Sequence, residues 1–151
     1  MSHVNSLPSE RAAVVGVIDP DAYAASTITT GYIPLKNFRR FMAVLAVGDI
    51  VSTGVLNAKL IGYTDDAGGG AADITGAAIT AMTEAGTDSN KQAVINLNTD
   101  ALAGTALTHF RLSATLTVAG ADFGAVVLGF DPLYGPASDS DATTVDEIVS
   151  A

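Results

Sequence analysis

From Phe110 to Val118 the chain alternates without a break: Phe110, Leu112, Ala114, Leu116 and Val118 are apolar, and Arg111, Ser113, Thr115 and Thr117 between them are polar. Successive side chains of a strand point to opposite sides, so a period of two held over five apolar positions predicts a strand with one buried and one wet face. Leu56, Ala58 and Leu60 alternate with Asn57 and Lys59 in the same sense. Residues 27–33 have the Thr and aromatic content of a further strand.

Other segments are apolar on every position. Residues 41–47 and 125–130 read as central strands covered on both faces. Residues 78–83 and 92–98 add two more, joined by turn formers at 84–90. Residues 65–73, with three consecutive glycines, predict a long loop at one end of the domain. Helix is scarce: residues 99–103 allow a single turn capped by Thr99 or Asp100. Seven or eight short strands separated by turns predict an all-β fold, a single-domain β-sandwich or jelly roll with extended N- and C-terminal arms. With 151 residues there is room for one ordinary core. The expected organisation is an N-terminal arm over 1–13, a sandwich over 14–136 and an acidic tail or strap over 137–151, whose removal should leave the domain folded.

Charge narrows the function. Seven Lys and Arg stand against 16 Asp and Glu, a formal net charge of −9. That field repels a phosphate backbone, so direct nucleic-acid binding is not expected. Only 15% of residues are charged while 48% are hydrophobic, against roughly 25% charged in an average soluble domain. A monomer of this mass exposes roughly 7,000 Å², and so few ionic groups predict that part of that surface is covered by another protein. The longest apolar run is far short of the ~18–20 residues of a spanning helix. The first eight residues contain no basic region followed by a hydrophobic stretch, so no secretory signal is expected. No membrane partner is therefore expected.

The residues that usually carry catalysis or metal binding are missing or dispersed. Cysteine is absent, which excludes disulfides, thiolate metal sites and thiol nucleophiles. Of the two histidines, His3 lies in the arm and His109 beside Arg111 on the polar face of the alternating strand. Two distant histidines make a poor zinc site, and no serine occupies a nucleophile elbow. Gly68-Gly69-Gly70 has no following Lys-Ser/Thr, so it reads as a linker and not as a phosphate loop. Asp65, Asp66 and Asp73 could approach a calcium ion, but their spacing matches no calcium loop and solvated charges are the simpler reading. Aromatics are 6% of the chain and Trp is absent, which weighs against a sugar-binding cleft. The chain is expected not to be an enzyme and to need no cofactor.

Two features stand out from the acidic background. Lys36, Arg39 and Arg40 bring three of the seven bases within five positions, just before an apolar strand. They form either a solvated loop or a docking patch for an acidic surface, such as the tail of a neighbouring copy. That tail carries Asp139, Asp141, Asp146 and Glu147 with no base, then Ile148 and Val149. It is either mobile or a strap laid across a neighbouring subunit.

Residues 15–23, 91–97 and 125–139, the last reading Ala-Val-Val-Leu-Gly-Phe-Asp-Pro-Leu-Tyr-Gly-Pro-Ala-Ser-Asp, resemble a small group of structural proteins of tailed bacteriophages and prophages. The likeness runs over most of 14–149. It implies a virion component, a capsid decoration or cement protein on the outside of an icosahedral head, made in the bacterial host cytoplasm. Its expected partners are the major capsid protein and further copies of itself, as a trimer or dimer. A head–tail connector or tail protein would look much the same. From another class, a monomeric β-sandwich module binding a glycan or calcium remains open.

Overall fold

The structure is a computed structural model and describes residues 6–151, so His3 and the first part of the expected arm lie outside the described residues. After a single helical turn, α1 (Pro8–Arg11), ten strands follow: β1 (Ala12–Tyr23), β2 (Thr27–Thr29), β3 (Ile33–Pro34), β4 (Phe38–Ile50), β5 (Val55–Tyr63), β6 (Ala72–Ala78), β7 (Met82–Thr83), β8 (Gln92–Asn98), β9 (His109–Thr117) and β10 (Ala121–Pro132). They build two antiparallel sheets. One has the order β1-β10-β4-β8; the other has β2-β9-β5-β6, with β3 also on β9 and β7 on β5. Counting β3 with β2 and β7 with β6 leaves eight strands whose chain order reads 1-8-3-6 in one sheet and 2-7-4-5 in the other. Each sheet interleaves strands from both halves of the chain, which is the jelly-roll arrangement. The fold is an all-β sandwich, as the alternation in the sequence predicts.

The core lies between the sheets. Phe41, Ala43, Leu45 and Val47 of β4 and Phe123 and Val127 of β10 face Leu56, Leu60, Phe110, Leu112 and Leu116 of the other sheet, all buried. Phe41 meets Phe110 edge to face with centroids 4.7 Å apart, and Phe38 meets Phe41 at 5.8 Å. These ring pairs fix the spacing of the sheets at one end of the sandwich. Glycine appears where the packing is closest: a Cβ on Gly129 would stand 2.6 Å from the Phe38 ring.

Several local expectations are corrected. Residues 78–83 are not one strand: β6 starts earlier, at Ala72, and only Met82 and Thr83 pair again as β7. Pairing with β5 decides this, through Lys59–Ala78 and Ile61–Asp73, and Gly76 at φ 79° takes up the irregularity between them. Asp73 is therefore a strand residue and not part of the loop. The alternating strand ends at Thr117, because Val118 turns at φ 70° to enter the β9–β10 hairpin. The single turn at 99–102 is 3-10 helix, and its cap is Asn98, whose side chain accepts from the Asp100 N–H.

Residues 137–142 lie against their own domain. Ala137, in a 3-10 turn over Ala137–Ser140, is fully buried. The N–H of Val14 donates to Asp141 Oδ1 at 2.8 Å, and the N–H of Ala142 donates to the Val14 carbonyl at 2.7 Å. Packing thus continues past Pro136 and closes the free edge of β1 near Val14, the usual protection of an edge strand. The exposed remainder begins after Val145, whose N–H still donates to the Ala142 carbonyl.

Candidate interaction surface

The two outer faces of the sandwich differ in chemistry. On the β2-β9-β5-β6 sheet the outward side is wet. Thr27, Thr115 and Asn57 stand side by side, with the Thr27 and Thr115 hydroxyls 3.0 Å apart. Ser113 lies beside Lys59, whose Nζ is 2.8 Å from Asp73. Arg111 stacks on the Tyr32 and Tyr63 rings at 4.8 and 5.1 Å and donates from Nε to the Tyr63 hydroxyl at 2.9 Å. His109, on the same face, meets Thr108 Oγ1 through Nδ1 at 2.8 Å.

The outward side of β1, β10 and β4 is apolar over most of its length, while β8 turns out Val94 between the amides Gln92, Asn96 and Asn98. Register places Val17 opposite Val126, Val126 opposite Val44 and Val44 opposite Val94, a rung of four valines crossing every strand of the sheet. Val126 is 36% and Val94 51% exposed. On one side follow Val14, Leu128 and Met42, and on the other Gly124 and Ala46. A shallow groove runs over Val17, Pro20, Val44, Ala46 and Val126. Residues 41–47 and 125–130 were expected to be covered on both faces; they are central strands with only one face in the core. The fold has two layers, so a strand apolar on both sides must present one of them outward.

This apolar strip has charged ends of opposite sign. At the start of β4 stands Arg40, paired with Asp131 at 3.3 Å, with Arg39 and Arg11 nearby around a second groove. At the far end Asp122 sits beside Gly48, with Asp21 on β1 close to it. Neither acid is visible as part of an interface in the sequence; only register brings them to the end of the valine strip.

The other expected interface residues separate. Lys36, in a 3-10 turn over Leu35–Asn37, borders a recess with Asp65, Asp66 and His109 and is not grouped with Arg39 and Arg40. Asp139 belongs to the turn that buries Ala137, and Asp141 holds the β1 edge. Asp146, Glu147, Ile148 and Val149 are exposed, the last two 50% and 80%.

Loop carboxylates serve local structure. Asp65 Oδ1 accepts the N–H groups of Gly69 at 2.7 Å and Ala67 at 2.9 Å, and these backbone bonds hold its carboxyl below its ordinary range. Asp73 is engaged by Lys59. Among the described residues no three His, Asp or Glu side chains cluster in a way that could hold a metal ion, and no helix is long and apolar enough to cross a membrane.

No protein-family model matches the chain, and no curated protein is significantly similar to it. Among solved structures, a chain from "Structure of infectious bursal disease virus Gt strain" is similar at 12% identity over 87% of this chain, with a TM-score of 0.24. This chain spans 45% of that chain's length. A likeness that distant adds nothing to the strand order already given.

Proposed function

We propose that the chain is a structural protein without catalytic activity, a decoration or cement protein of a phage head that attaches to the major capsid protein on the outer surface. The observation that carries this reading is the contrast between the faces: one sheet turns a valine rung outward while the other turns out Thr, Asn, Lys and Arg. A surface of small β-branched side chains loses little rotamer freedom on docking, and repetition over a lattice multiplies weak contacts into a firm attachment. Subunits bridging the seams of a shell under internal pressure oppose its opening through the interface area they add. The choice of a phage head as the shell rests on the resemblance of residues 15–23, 91–97 and 125–139 alone, and the exposed segment after Val145 is free to reach a neighbouring subunit.

The test is the copy number of the chain in purified particles of the phage or prophage that encodes it. Hundreds of copies per head, removable without opening the tail junction, are expected. Six or twelve copies would move the chain to a connector or tail ring, and absence from particles would end the virion reading.

A further inference from the structure

We propose that the outer face of the β1-β10-β4-β8 sheet packs against the same face of a second copy, through a two-fold axis that lies between the sheets, at right angles to the strands, over the valine rung. The proposal rests on the reading of the chain as an assembling protein and assigns the valine face to the contact between copies, which leaves the wet sheet and the segment after Val145 to meet the capsid.

Strand register selects this axis. A two-fold axis in that direction leaves each strand opposite its own copy but reverses its direction. The rung Val17–Val126–Val44–Val94 then faces itself, Val44 over Val44. Four residues from Val44 towards the start of β4 is Arg40, and four residues the other way is Gly48, with Asp122 beside it on β10. The operation therefore places Arg40 of each copy over the Gly48–Asp122 position of the other. The two basic ends meet the two acidic ends, and the Asp122 side chain, lying over Gly48, is the group the guanidinium meets. A two-fold axis parallel to the strands would stack like charge on like, so the charges select one orientation. The intrachain Arg40–Asp131 pair is exposed on both sides and offers little resistance to exchange.

Five rows of four outward residues, from Arg40 to Gly48 on β4, at about 6.7 Å by 4.8 Å each, cover roughly 640 Å² per copy and about 1,300 Å² in all. That lies at the low end for a specific interface. Self-association is therefore weak and concentration-dependent in solution, and it strengthens where copies are held side by side.

Sedimentation velocity on the full chain over a concentration series tests this. A monomer–dimer equilibrium is expected for the native chain. Val44→Glu, which sets two carboxylates against each other across the axis at no core position, should give monomer at every concentration while leaving circular dichroism and melting unchanged. Arg40→Glu and Asp122→Arg should each weaken association by about tenfold or more, and the double variant should regain it; loss of the Asp131 contact is common to the single and double Arg40 variants, so it cannot produce the rescue. Because the chain has no cysteine, Val44→Cys should also be joined to itself by a short thiol cross-linker. A native chain that stays monomeric up to about 1 mM, association that survives Val44→Glu, or charge reversal without rescue would overturn the proposal. Particle copy number is read separately: a dimer absent from heads sinks the decoration reading alone, and an abundant head protein that is monomeric through this series sinks the two-fold contact alone.

Discussion

The N–H of Val14 donates to Asp141 Oδ1 at 2.8 Å, tying the third residue of β1 to a carboxylate 127 positions away. With the return bond from Ala142 to the Val14 carbonyl, the C-terminal segment takes the place of one more strand at the β1 edge. Asp141→Ala should cost about 1 kcal/mol of unfolding free energy, and Asp141→Asn, which keeps the acceptor, clearly less. Urea unfolding of the three proteins would show the order; equal stability would mean the edge bond contributes nothing.

Truncation should divide the tail in two. Removing residues 146–151 takes away only exposed side chains and should leave the melting temperature unchanged. Removing 137–151 also uncovers the site of Ala137 and frees the β1 edge, so the melting temperature should fall by several degrees. Scanning calorimetry on both truncations distinguishes this from a tail that is dispensable throughout.

Thr30 is buried, and its hydroxyl accepts the Leu112 N–H at 3.1 Å while donating to the Gly31 carbonyl at 2.9 Å. Thr30→Val keeps the shape and removes both bonds, leaving a buried N–H without its acceptor at a cost of about 1–3 kcal/mol. Thr30→Ser should recover much of that loss. A Val variant as stable as the native protein would contradict the role given to the hydroxyl.

Val118 holds φ 70° with its side chain 76% exposed. A β-branched residue in that region is strained by about 1–2 kcal/mol and here packs against nothing that repays it. Val118→Asn should therefore raise the melting temperature by a few degrees, an uncommon direction for a single change. A lower melting temperature would show that Val118 is held by contacts in the hairpin.

Asp65 titrates below an ordinary carboxylate because the Gly69 and Ala67 N–H groups bind its charged form. Its folded value is lowered relative to the unfolded chain. The loop is therefore stabilised at pH above the ordinary carboxylate range, and that contribution fades as pH falls through the folded value. Carboxyl-carbon NMR should follow this titration with matching shifts at the Ala67 and Gly69 amides. Amides that do not respond would separate the loop from the carboxylate.

Much of the fold was legible because alternation is a local property. Phe110 to Leu116 and Leu56 to Leu60 declare which side of a strand is apolar, and the turn formers at 84–90 mark where the chain must reverse. The core face of β9 and β5 follows from those residues alone. Residues 41–47 and 125–130 gave no such information: with apolar groups on both sides, they are compatible with a covered layer or with an exposed one.

The sequence by itself determined that the chain is built of strands, that its core is aliphatic and aromatic without disulfides, and that it has few ionic groups to wet its surface. Only the tertiary structure decided which surface goes unwetted. The valines of the outer rung come from β1, β4, β8 and β10, up to 109 positions apart from Val17 to Val126, and antiparallel register alone aligns them and sets Arg40 and Asp122 at opposite ends. It also decided that Asp141 belongs to the domain, since an edge strand's unpaired N–H exists only once the sheet has formed.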